Sequence, residues 1–216
     1  MKTFIHHDIP ALVQVNSDKG RYYETPSGNK YPSVTGVVGF KNEDSIKEWR
    51  DKVGEEEANK ISARASSRGT RIHSLCEEYL KGQNPKPSIF DQELFLKVIP
   101  ELEHINNIHC LETKLYSDRL EVAGTVDVIA EYRGVLSVID FKTSKRIKQK
   151  EEIPSYFQQT SAYSYMFWEH TGLTPKQLVI IMGVDDEQTL VHIEPVKKWL
   201  GEFMQVRKEF KECKGY

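Results

Sequence analysis

Two aspartates and a lysine carry the first chemical signal in this chain. Asp127 closes the run Gly124-Thr125-Val126-Asp127, and thirteen residues after it comes Asp140-Phe141-Lys142. The stretch between them is apolar and β-branched except at Arg133-Gly134, so it reads as two strands joined by a tight turn. Such a hairpin brings Asp127 and Asp140 toward the same end of a sheet. The strand period of two sends Asp140 and Lys142 to one face and Phe141 to the other. Two carboxylates sharing a wall resist joint ionisation, and one lysine is a modest counterweight. A hard divalent cation such as Mg2+ or Mn2+ is the better one, because it accepts carboxylate oxygens, keeps several waters and binds phosphate through the same coordination sphere. Taken alone, Asp-x-Lys also suits a strand end with a solvated edge lysine.

Further residues fall in order around this core. Upstream, Gly69-Thr70-Arg71-Ile72-His73 opens a segment whose Ile72, Leu75, Cys76, Tyr79 and Leu80 follow helical spacing, with Thr70 placed to cap it. His73 and Glu77 then share a helix face, where Glu77 is equally placed to pair with Lys81. Glu112 lies on the strand-like run before Gly124, as a supporting carboxylate or an edge-strand charge. Downstream, Gln159 and Tyr163 are four apart on a predicted helix that also carries Tyr156 and Phe157. Lys145, Arg146, Lys148 and Lys150 follow Lys142, while Arg64, Arg68 and Arg71 precede His73, so basic clusters flank the acidic residues and suit a phosphate backbone.

The order Gly-x-x-x-His, Gly-x-x-Asp, Asp-x-Lys, Gln-x-x-x-Tyr, spanning Gly69 to Tyr163, resembles the RecB-like branch of the PD-(D/E)XK nuclease superfamily. The segments Arg21 to Gly28 and Tyr31 to Thr35 further resemble mitochondrial genome maintenance exonuclease-like and phage-type exonucleases. The resemblance implies metal ligation by His73, Asp127, Asp140 and the carbonyl of Phe141, with Lys142 assisting the attacking water. It implies that Gln159 and Tyr163 contact substrate or brace the lysine. With that fold, Lys145, Arg146, Arg68 and Arg71 from the basic clusters flank the site as candidate substrate contacts, and Glu77 and Glu112 are candidate supporting carboxylates. The acid of Asp-x-Lys is often glutamate in this superfamily; the aspartate here is one methylene shorter. Some relatives hold an iron–sulfur cluster on four cysteines. Cys76, Cys110 and Cys213 are too few and too scattered for that, and no such cluster is expected.

The rest of the chain must position these groups. Its 216 residues show no repeat, linker or composition break, and they read as one domain. Residues 1–40 form an N-terminal strand and hairpin region, 43–108 a helical part, 109–194 the catalytic sheet and 195–216 a C-terminal helix. Helices are expected over 43–66, 71–82 and 88–107, separated at Gly69 and at Asn84-Pro85-Lys86-Pro87. Strands follow at 109–117, 120–132 and 134–142, then a helix over 154–171, strands at 177–184 and 188–194, and a last helix from Pro195 to about Glu212. The expected fold class is α/β, a restriction-endonuclease-like central mixed β-sheet flanked by helices.

Net charge is −2, the pI is about 6.4 and mean hydropathy is −0.55, with no apolar run of membrane-spanning length. No nucleophile elbow, zinc-protease helix or phosphate loop occurs. An odd cysteine count and the lack of a signal or transit pattern point to the cytoplasm, the host's if the source is viral. The sequence therefore leads to a Mg2+- or Mn2+-dependent deoxyribonuclease working from free ends and preferring single-stranded DNA, in replication, recombination or repair. A duplex exonuclease, a structure-selective endonuclease and a non-catalytic nucleic-acid-binding recombination partner are the alternatives. DNA is the expected partner, and no membrane is.

Overall fold

The computed structural model describes residues 2–17 and 20–215. The N-terminal region is a three-stranded antiparallel sheet of β1 (Val13–Ser17), β2 (Gly20–Glu24) and β3 (Lys30–Pro32). A short helix, α1 (Val34–Gly39), follows, capped by the Ser33 hydroxyl, which accepts from the Gly36 N–H at 3.0 Å. Residues 34–39 are thus helical where the alternation of the sequence suggested strands. The apolar Val34, Val37 and Val38 are buried against the main core, and helical spacing serves that burial.

Next come α2 (Glu43–Val53), α3 (Glu55–Leu80) and α4 (Gln92–Glu103). The helix break expected at Gly69 lies instead at Gly54, whose φ of 88° and ψ of 143° are outside the helical region. Glycine within a long helix costs only about 1 kcal/mol relative to alanine, and α3 runs through Gly69 unbroken. Its start is favoured by Glu55, Glu56 and Glu57 in the first turn, where the helix dipole attracts negative charge. Thr70 is therefore not a cap; its hydroxyl donates to the Ser66 carbonyl one turn back. The helix expected over 88–107 is shorter, because β4 already begins at Ile105.

The central sheet has the order β4 (Ile105–Ser117), β5 (Val122–Tyr132), β6 (Val135–Ser144), β7 (Gln177–Val184), β8 (Leu190–Pro195). Neighbours are antiparallel except β6 and β7, which α5 (Pro154–Thr171) joins by a crossover. α5 and α6 (Val196–Lys214) pack with α1 on one face, α3 and α4 on the other. Alternating strand residues divide between two cores: Val138 faces α5 and α6, while Ile139 and Phe141 face α3 and α4. Each such buried side chain contributes about 1.5–3 kcal/mol, so the sheet is gripped from both sides and its strand ends are held in place. Among the described residues no helix is long and apolar enough to cross a membrane.

The candidate metal centre and its surroundings

The β5–β6 ladder ends at the pair Val128 and Ile139, beyond which the two strands diverge. The fork left between them is filled by side chains. The Phe141 N–H donates to the Asp127 carboxylate at 2.8 Å, so a side chain satisfies a backbone donor of the fork. That bond fixes Asp127, whose side chain is 11% exposed. The alternation of strand faces also shifts at this point: Val122 and Val126 face one core, Val128, Ala130 and Tyr132 the other.

Glu112 makes the matching irregularity on β4. Between the pairs Leu111 with Val128 and Thr113 with Val126 it stands across from Asp127, with φ at 48°. Left-handed backbone costs a glutamate about 1–3 kcal/mol and collects at functional positions. The Thr113 hydroxyl braces the kink, accepting from the Leu111 N–H at 3.1 Å. From the other side α3 brings His73, whose Nδ1 is 3.4 Å from Asp127 Oδ2 and whose ring meets Phe141 edge-on at 6.0 Å. One ligand atom from each of His73, Glu112 and Asp127 lies within 4.8 Å of the others. Glu112 keeps an open side toward solvent, but burial of its inner side and then the Asp127 charge push its carboxyl up to about 7.

Asp140 and Lys142 occupy the neighbouring position on β6. Both point to the α5 side, with Lys142 Nζ 2.6 Å from Asp140 Oδ1 and 2.5 Å from Oδ2. The amide of Gln159 on α5 donates to the same Oδ1 at 3.1 Å. Burial raises the Asp140 carboxyl and the Lys142 charge opposes that rise; Lys142 itself is held in its charged form by Asp140 despite its own burial. The ring of Tyr156 lies 5.0 Å from Lys142 Nζ. Tyr163, one turn beyond Gln159, is 2% exposed and packs on Gly124; burial and then the Asp127 charge raise its hydroxyl well above the usual range.

These residues fit a divalent cation. Two carboxylates and an imidazole converge as a donor set. Buried Asp140 Oδ2 is met among the described residues by Lys142 Nζ at 2.5 Å and by no other hydrogen-bond donor. Asp140 stands beside the cluster of His73, Glu112 and Asp127, turned to Lys142 and Gln159. Glu77, by contrast, is drawn off to Lys81 at 2.6 Å.

A model of the PD-(D/E)XK nuclease superfamily matches residues 93–212. The chain belongs to that superfamily. It is 27% identical over 173 residues to mitochondrial genome maintenance exonuclease 1 of Homo sapiens, covering 74% of this chain and 45% of the human protein. Against the Mus musculus protein of the same name it is 28% identical over 134 residues, 56% of this chain and 39% of that one. The chain thus spans less than half the length of these curated relatives. Among solved structures, SSO0001 matches with a TM-score of 0.45 and 15% identity, over 84% of this chain and 75% of that one. A putative exonuclease from Eubacterium rectale matches with 0.46 and 10%, over 67% and 64%.

The superfamily's glycines acquire local reasons here. A Cβ on Gly124 would lie 2.6 Å from the Tyr163 hydroxyl, so this position needs glycine if Tyr163 is to reach the fork. Gly69 is less constrained, since its Cβ would meet only Thr143 Oγ1 at 4.0 Å.

The basic residues singled out in the sequence are partly engaged. Arg68 is paired with Asp185, Arg71 with buried Asp91 at 2.7 Å, and Arg146 with Glu152 at 2.5 Å. Lys150 pairs with Glu194 at 2.8 Å. Lys145 is exposed and has no carboxylate partner among the described residues. Of the three α5 aromatics nearest the centre in sequence, Phe157 is fully buried and stacked on Trp199, and Tyr163 is also buried; only Tyr156 retains exposure. Core packing claims those rings because α5 is enclosed by the sheet and α6. Glu112 joins His73 and Asp127 through a backbone kink that leaves no mark in an alternating strand pattern. Cys76 and Cys110 are buried free thiols and Cys213 an exposed one.

Proposed function

We propose that this chain is a Mg2+- or Mn2+-dependent DNA exonuclease that acts from free ends and prefers single strands, in replication, recombination or repair. The observation that carries the reading is the convergence of His73, Glu112 and Asp127 beside the Asp140 and Lys142 pair at the β5–β6 fork. A divalent cation held by these residues would polarise the scissile phosphate and lower the pKa of a bound water.

The chain's own groups have separate tasks in this reading. Asp127, pinned by the Phe141 N–H, and Glu112, held by its strained backbone, preset the spacing of two oxygen donors. His73 supplies nitrogen from a different layer of the fold. The carbonyl of Phe141 and the Asp140 carboxylate, which would have to share Oδ2 with Lys142, are the proposed remaining donors. Lys142 offers a cation where negative charge develops on the phosphate and a donor to orient water. Gln159 holds Asp140 so that Lys142 stays aimed. Lys145, exposed and without a carboxylate partner, is the foremost candidate for backbone phosphate contact, and Arg146, Arg68 and Arg71 would have to exchange their carboxylates for it.

Action from ends is supported by the likeness to the two curated exonucleases, and the preference for single strands is part of the proposal. The test is digestion of end-labelled linear single strands, linear duplex and closed circles in Mg2+, Mn2+ or EDTA, with Asp140→Asn as control. Metal-dependent loss of linear single strands, absent in the variant, is expected. Cutting of circles would make the protein an endonuclease, and binding without cutting under every metal would favour the non-catalytic reading.

A further inference from the structure

Lys142 has two neighbours of different kinds. The carboxylate of Asp140 meets its Nζ at 2.6 and 2.5 Å, and the ring of Tyr156 has its centre 5.0 Å from the same atom. An ammonium within about 6 Å of a ring centre is attracted by the negative ring face, with an effect on an equilibrium of about 2-fold in the open and about 30-fold when desolvated. The Lys142 side chain is 21% exposed, which puts this contact between those limits. The ring is also held from elsewhere. Tyr156 is half-buried against the core between the sheet, α5 and α6, and Lys148 donates to its hydroxyl at 3.4 Å. The Lys148 carbonyl in turn accepts from buried His192 at 3.0 Å, and a reciprocal cap between Gln149 and Glu152 closes the loop that leads into α5.

The phase of α5 relates this ring to the rest of the centre. Tyr156 and Gln159 are three apart and share a helix face. Gln159 donates to Asp140 Oδ1 at 3.1 Å, so one face of one helix grips both members of the ion pair, by an amide on the carboxylate and by a ring on the ammonium. Tyr156 lies outside the Gln-x-x-x-Tyr motif that contains Gln159 and Tyr163. Asp140 is also a proposed metal donor, which divides its oxygens between two cations. The attraction of the ring for Lys142 draws on neither oxygen.

We propose that Tyr156 is a positioning residue for Lys142, its ring face keeping the charged ammonium beside Asp140 and the reacting phosphate when that carboxylate is shared. This rests on the nuclease reading above and adds to it a group that acts through the lysine. The other use of a half-exposed ring, stacking on an unpaired base of the substrate strand, has a different kinetic signature.

The test replaces Tyr156 by phenylalanine, by phenylalanines carrying one, two and three ring fluorines, and by leucine. Urea unfolding and affinity for a fluorescent single-stranded oligonucleotide are measured in EDTA, and kcat and KM with Mn2+. Fluorine withdraws electron density from the ring face and leaves its shape nearly unchanged. The unfolding constant should therefore rise and kcat fall stepwise with fluorine number, reaching about tenfold in Tyr156→Leu, while KM and strand affinity stay within about twofold and Tyr156→Phe stays near wild type. A ring that only packs would give a flat series, because fluorine adds apolar surface and removes none. A flat series in a protein that cleaves would overturn the positioning role alone. Weaker strand affinity and higher KM with kcat unchanged would overturn it in favour of base stacking. A wild type that cleaves under no metal would overturn the nuclease reading and the task assigned to Lys142 with it.

Discussion

Alanine at Gly124 would place a methyl carbon 2.6 Å from the Tyr163 hydroxyl oxygen, 2.9 Å from Cε1 and 3.2 Å from Cζ. All three distances are shorter than van der Waals contact, and Tyr163 is buried with its ring between the sheet and α5, so it has little room to withdraw. Overpacking of this kind costs about 1–3 kcal/mol. The opposite sign is expected from chain entropy, since Gly→Ala at a compatible position stabilises by about 0.4–1 kcal/mol. Gly124 has an ordinary negative φ, so backbone conformation does not forbid alanine and the clash must decide. A net loss of about 1–2 kcal/mol should appear, or a fall in Tm of roughly 2–8 °C for a chain of this size. The hydroxyl is the nearest atom, so Tyr163→Phe should relieve part of the cost, and the double variant should be more stable than the sum of the singles by about 0.5–1 kcal/mol. Urea unfolding of the four proteins measures the cycle. A Gly124→Ala variant as stable as wild type, or additive singles, would refute the close approach of Tyr163 to β5. Cleavage should fall with the clash, because Tyr163 cannot move without disturbing the wall beside Asp127.

Other consequences are open to direct measurement. Asp140→Asn and Lys142→Ala should each lower cleavage by at least about 10²-fold. Lys142→Ala should also cost about 3–5 kcal/mol by leaving a buried carboxylate unpaired, and Asp140→Asn should cost less in urea unfolding, because the Lys142 side chain is 21% exposed and can turn toward solvent. Calorimetric titration with Mn2+ should show Glu112→Gln weakening binding by at least about tenfold, while Glu77→Gln, which breaks only the pair with Lys81, stays near wild type. Equal effects of the two would return Glu112 to a peripheral role. Glu194 is 10% exposed; burial would raise its carboxyl, but Lys150 and Lys198 outweigh this and hold it at about 2. A depressed folded pKa stabilises above the unfolded value, so this contribution is present above about pH 4.5 and drains away as pH falls toward 2. Both lysines are substantially exposed, which reduces it to roughly 1–2 kcal/mol. Glu194→Gln should flatten the acid limb of a stability profile by that amount, and an unchanged limb would show the pairs to be energetically silent.

The strands carrying Asp127, Asp140 and Lys142 could be read from residue order alone because their signals are local. β-branched runs and the Arg133-Gly134 turn define a hairpin, and a period of two assigns faces to Asp140, Phe141 and Lys142. The same holds for α5, which begins at Pro154 and ends before Gly172 as its punctuation implies. Gly69 and Gly54 show where local reading fails: both are helix-weakening residues, and only the packing of α3 across the sheet decided that the first is spanned and the second turns the chain. α1 likewise takes its form from burial of three valines, which an alternating pattern does not reveal.

Chemistry divides along the same line. Residue types and order marked an aspartate pair, a lysine, a histidine and a glutamine as candidates for one centre, because each stands in a recognisable motif, and the fold brings them together. Tertiary structure alone decided that Glu112 joins His73 and Asp127, since that follows from a strand kink and a fork between β5 and β6. It also decided that Glu77 turns to Lys81, that Phe157 and Tyr163 are buried, and that Arg68, Arg71 and Arg146 are paired. Burial and ion pairing are properties of neighbours distant in sequence, and no spacing along the chain encodes them.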